Sequence, residues 1–96
     1  MKTTWIISRH PAAIIWLANQ GHTGIEIDHL DIEQVQSGDT VIGTLPVNMA
    51  AEVCAIGAAY IHLSLKLPLH KRGVELSIEE MQTYGATLQQ YTISAN

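Results

Sequence analysis

The sequence predicts an α/β fold: a single small domain over residues 1–96, with a mostly parallel sheet and helices on both faces. Two observations carry this. Short β-branched apolar runs alternate along the chain with helix-patterned segments, the signature of βαβ units. Proline and glycine punctuate the alternation where such units need them, with Pro11 and Pro46 opening helical stretches and Gly21 and Gly57 closing them. The 96 residues suffice for one modest core.

The elements follow in order. Residues 3–8 are β-branched and aromatic and read as a buried strand. Pro11 suits the first turn of a helix that runs to Gly21. Residues 24–30 alternate, with Ile25, Ile27 and His29 on one face and Glu26, Asp28 and Leu30 on the other, as in a half-exposed strand. A polar connector with a short helical turn ends at Ser37-Gly38. Residues 40–45 form a second buried strand, Pro46 opens the next helix, and Gly57 stops it. Residues 58–65 read as a further strand, and residues 67–76 as a loop. Ser77 and Glu80 fit a capping box, which starts a last helix over residues 79–90. Residues 91–94 read as a short final strand. Right-handed crossovers leave few ways to arrange this order, and a single small Rossmann-like domain is the expected one.

Composition narrows the function. A net charge of −4 argues against a binder of duplex nucleic acid, which would present a basic surface. The single cysteine, Cys54, excludes a disulfide within the chain and any zinc site built from cysteine pairs. The apolar run before Arg9 is too short for a signal-peptide core or a membrane span, so a cytoplasmic protein without a membrane partner is expected. Hydrophobic residues make up 47% of the chain, a surplus that points to a homodimer, with the small-residue helix 47–56 as its contact.

Ligands of open α/β sheets sit at the carboxyl ends of strands, where strand order reverses. The strands beginning at Thr3 and Thr40 are expected side by side at the centre. Their carboxyl-end loops, residues 8–11 and 43–48, lead into helices whose first N–H groups and dipole suit phosphate. Arg9, Lys66, Lys71 and Arg72 all follow strands, giving an acidic chain a cationic rim at that edge. Asp39 precedes a strand and belongs to the opposite edge.

Arg9 would clamp phosphate through its planar fork, and His10 would move protons. The plain structural reading of the pair is a surface arginine and a histidine capping the first helix. Ser8 would position a phosphate oxygen or a ribose hydroxyl, or simply bond its own backbone. Gly43, Thr44, Leu45, Pro46 and Asn48 form the second loop. Gly43 either admits a ligand to the backbone or relieves packing. Asn48 and Glu52 share one helix face, which solvent or a dimer contact also explains. Ser64 would line the site, whereas His62, on the same strand face, reads as a bonded interior histidine. Lys71 and Arg72 belong to a loop that serves either as a lid or as solvated surface. His29 with Asp28 and Asp31 matches no metal motif, and neither a metal nor a cofactor is expected. Trp5, Trp16 and Cys54 read as core packing. Dinucleotide, P-loop and α/β-hydrolase fingerprints are absent.

Several stretches together resemble the small stand-alone Csx-series accessory proteins of type III CRISPR loci. They are Ile7-Ser8-Arg9-His10-Pro11 with Ile14, Trp16 and Leu17 behind it, DTVIGTLPVNMAAEVC over residues 39–54, His62-Leu63-Ser64-Leu65, Glu75-Leu76-Ser77 and Tyr84-Gly85-Ala86. The resemblance spans residues 4 to 91, and the segment around Gly43–Cys54 is its distinctive part. It implies a compact relative of the CRISPR-associated Rossmann fold working as a homodimer. It also implies a ring nuclease that degrades cyclic oligoadenylate, above all cyclic tetra-adenylate, and so silences type III signalling. Cleavage would be metal-independent and leave 2′,3′-cyclic phosphate ends. Two other functions fit the same residues: a sensor or sequestering module without chemistry, and a structural partner of a CRISPR complex. A metal-dependent phosphodiesterase is a third.

Overall fold

The structure, a computed structural model, describes residues 2–8, 10–71 and 75–96. The elements run β1 (Thr4–Ile7), α1 (Pro11–Asn19), β2 (Ile25–Ile27), a 3-10 turn (Ile32–Gln34), β3 (Thr40–Gly43), α2 (Val47–Ile56), β4 (Ala59–Ser64), a second 3-10 turn (Leu69–Lys71), α3 (Ile78–Thr83) and β5 (Thr87–Tyr91). The sheet order is β2-β1-β3-β4-β5. The first four strands pair in parallel, and β5 returns antiparallel along β4. The expected α/β fold is therefore the observed one, with β1 and β3 adjacent near the centre.

Each sheet face has its own core, as strand alternation requires. Ile6 and Ile42 point to the side covered by Ala13, Trp16 and Leu17 of α1 and Met81 of α3. Val41 and Tyr60 point to the other side, under Ala50 and Val53 of α2 and Val35 beside the first 3-10 turn. Gly57 ends α2 with φ 97°, and a Cβ there would lie 2.8 Å from Ser37 Oγ. Glycine is thus required twice over, by conformation and by space.

The first turn of α3 is held by the expected capping box. Glu80 N–H donates to Ser77 Oγ at 3.1 Å, and Ser77 N–H donates to Glu80 Oε1 at 3.2 Å. Such a cap contributes about 1 kcal/mol. The helix is nevertheless shorter than the expected 79–90. It stops at Thr83, Gly85 takes φ 69°, and residues 87–91 form β5. The expected strand over 91–94 accordingly shifts back, keeping only Tyr91. The cause is tertiary. The outer edge of β4 would otherwise present unpaired N–H and C=O groups, and Thr87, Leu88 and Tyr91 are residues a strand accepts. Leu88 packs into the core that α1 and α3 cover.

The strand over residues 24–30 also contracts, to Ile25–Ile27. This is an edge strand with β1 as its one neighbour. The small-residue face of α2, expected at a dimer contact, partly meets the chain's own C-terminal segment. Ile93 packs into the α2-side core, and its N–H lies 3.4 Å from Cys54 Sγ.

Candidate functional site at the carboxyl edge

Parallel pairing lines up the strand ends. Ile27, Ile7, Gly43 and His62 stand on one rung across β2, β1, β3 and β4. The residues that follow, Asp28, Ser8 and Thr44, therefore emerge together at the carboxyl edge. A cavity of about 550 Å³ opens there, within the range of small-ligand sites. Its polar lining comes from Ser8, His10, Asp28, Thr44, His62 and Ser64. Ala12, Ala13, Leu63, Leu65, Leu67, Leu76 and Met81 add an apolar wall.

Five of the residues expected at the site thus meet: Ser8, His10, Gly43, Thr44 and Ser64. Ser8 Oγ accepts the backbone N–H of His10 at 3.1 Å, which fixes the turn and leaves the hydroxyl hydrogen for a ligand. His10 is the N-cap residue of α1, but its imidazole makes no capping bond. The ring is therefore not spent on ending the helix. Thr44 Oγ1 donates to Leu63 O at 2.7 Å and ties the end of β3 to β4. Of the two explanations for Gly43, packing has direct support: a Cβ would lie 2.8 Å from Ile7 O.

The helix N-terminus offers less than its position suggests. Pro11 has no N–H, and Ala13 N–H is engaged by His10 O at 3.0 Å. Leu45, Pro46 and Asn48 do not line the cavity. Leu45 packs into the α2-side core, Pro46 is the N-cap of α2, and Asn48 lies with Glu52 and Cys54 along a shallow groove beside Thr92–Ala95. Lys71 bonds Glu80 across 2.8 Å. That bond holds the ammonium above its ordinary 10.5 and the Glu80 carboxyl below 4.5. The pair ties the loop to α3 at the surface, and Lys71 does not line the cavity. Arg9 and Arg72 lie outside the described residues.

Two lining residues were not expected there. Asp28 follows β2 as Ser8 follows β1, and the carboxyl-end rule applied to every strand would have found it. In the sequence His62 reads as an interior histidine. It is indeed bonded, with Nδ1 2.6 Å from the Tyr60 hydroxyl, and the residue also borders the cavity at the strand end. Among the described residues, no group of three or more His, Cys, Asp or Glu side chains is placed to hold a metal ion, and no helix is long and apolar enough to cross a membrane.

A family model described as "Putative CRISPR-associated protein (Cas_VVA1548)" matches residues 5–94. Comparison with curated proteins and with solved structures gave no match.

Proposed function

The chain belongs to this CRISPR-associated family, and from that premise we propose that it is a ring nuclease that binds and cleaves cyclic oligoadenylate, above all cyclic tetra-adenylate. The observation that carries the reading is the composition of the carboxyl-edge cavity. Its apolar wall suits a base, and its hydroxyls and imidazoles suit ribose and phosphate. The carboxylate of Asp28 accepts hydrogen bonds and does not attract phosphate, so it suits ribose hydroxyls. Arg9, between β1 and α1 in the sequence, supplies the phosphate clamp in this reading.

The chemistry needs no metal. A ribose 2′-hydroxyl attacks the adjacent phosphorus, the bond to the 5′-oxygen breaks, and the product carries a 2′,3′-cyclic phosphate and a free 5′-hydroxyl. Holding the attacking oxygen in line contributes up to ~7–11 kcal/mol of the barrier reduction. His10 moves a proton in this step. The test is incubation with cyclic tri-, tetra- and hexa-adenylate in chelator, with products resolved by chromatography. Linear products ending in 2′,3′-cyclic phosphate are expected. Intact rings that remain bound would make the protein a sensor, and no binding at all would make it a structural partner.

In the same proposal the acting form is a two-fold homodimer. A two-fold axis would present two cavities to opposite sides of a nucleotide ring. Val47, 69% exposed at the start of α2, and Tyr91, 47% exposed on the edge strand, are available for the contact. Light scattering at micromolar concentration is expected to give twice the chain mass. A monomer with and without ligand would overturn this part.

A further inference from the structure

Tyr60 is 1% exposed, and its hydroxyl is fully engaged. It accepts the Leu45 N–H at 2.9 Å and lies 3.3 Å from Gly43 O and 2.6 Å from His62 Nδ1. Burial raises its pKa above the ordinary 10.0, so it stays a neutral phenol. A phenol with these three neighbours satisfies either state of the imidazole. When Nδ1 carries a hydrogen, the phenol oxygen accepts it and the phenol hydrogen turns to Gly43 O. When Nδ1 is bare, the phenol donates to it. Nε2 is then the ring nitrogen that Tyr60 leaves free, on a residue that borders the cavity.

We propose that His62 is a second proton-transfer group of this site, a general base working through Nε2 while Tyr60 holds Nδ1. The proposal rests on the ring-nuclease reading of the cavity. With hydrogen on Nδ1, the bare Nε2 takes the proton of the 2′-hydroxyl as its oxygen bonds to phosphorus. The electron pair of the breaking bond goes to the 5′-oxygen, which takes a proton from His10. The imidazolium left at His62 keeps its bond to Tyr60 unchanged. No water, oxidant or metal enters the balance. Tyr60 is the positioning residue: it selects the ring orientation and supports the charge that forms. The titratable groups around His62 are Tyr60 on its own strand, Tyr91 of β5 with its ring 6.0 Å away, Cys54 of α2 near Tyr91, and His10 and Asp28 along the cavity.

The experiment is single-turnover cleavage of labelled cyclic tetra-adenylate across pH, with ligand affinity measured in parallel. The asparagine of His62→Asn keeps a polar atom near Nδ1 and removes Nε2. It is expected to slow cleavage ~10²–10⁴-fold with affinity little changed, and to lose the rise of rate with pH that a base produces. Added imidazole is expected to restore part of the rate in His62→Gly, an effect that a merely structural role would not show. Tyr60→Phe is expected to give a smaller loss and to shift the same limb of the profile. A His62→Asn protein cleaving at the wild-type rate would overturn the assignment while leaving the ring-nuclease reading intact. A wild-type protein that cleaves no cyclic oligoadenylate would overturn both.

Discussion

At neutral pH, Asp39→Ala is expected to melt on the order of 10 °C below the wild-type chain. Asp39 is 3% exposed and lies at the edge of the sheet opposite the cavity. Its Oδ1 accepts the Thr3 N–H at 2.9 Å, and its Oδ2 accepts Trp5 Nε1–H at 3.1 Å and the Gln36 N–H at 3.0 Å. One carboxylate therefore joins the lead into β1, the strand itself and the turn before β3. Alanine leaves three donors without their acceptor, and the cost of such orphaned groups exceeds the net gain from making the bonds. The Asp39→Asn variant would keep an oxygen for two of these donors but turn an NH₂ toward the third, so its loss is expected to be smaller.

The pH dependence follows from the same bonds. The hydrogen bond from Gln36, then those from Thr3 and Trp5, hold the Asp39 pKa below the ordinary 3.8. The contribution is fully present above 3.8 and fades as pH falls from there through the lower, folded-state value. The gap in melting temperature between wild type and Asp39→Asn should therefore narrow in acid, read by circular dichroism from neutral pH down to about pH 3. A gap constant across that range, or no gap at neutral pH, would remove the carboxylate from the account of stability.

Asp39 also shows what a sequence conceals. Its place before a strand put it at the correct edge, but nothing local announces three donors drawn from residues 3, 5 and 36. Local signals worked where the cause was local. Pro11, Gly57 and the Ser77 capping box mark their helix ends directly. They failed at residues 87–90, which pass for helix until the free edge of β4 claims them. The site divides in the same way. Ser8, His10 and Thr44 follow from the rule that strand ends carry sites. His62 does not, because the role proposed for it depends on a phenol two residues away and on a cavity that only tertiary packing builds. Nothing local to Lys71 signals its bond to Glu80, nine positions on.

Cleavage of cyclic tetra-adenylate is expected to proceed undiminished in chelator, and His10→Ala to slow its single-turnover rate ~10²–10⁴-fold while affinity changes little. The structure separates the two jobs of this residue. Its backbone serves the fold: the N–H bonds Ser8 Oγ, and the carbonyl accepts Ala13 and Ile14 N–H groups at the start of α1. These bonds survive in alanine. The imidazole caps nothing and borders the cavity, so its removal should leave stability close to wild type. A ring that only positioned the ligand would change rate and affinity together, whereas a proton donor changes the rate alone. His10 and His62 are expected to act on opposite limbs of the pH profile, because an acid loses activity as pH rises and a base as it falls. Loss of cleavage in chelator would hand the chemistry to a bound metal. An unchanged rate in His10→Ala would leave positioning by Ser8 and Thr44, with proton transfer at His62 alone.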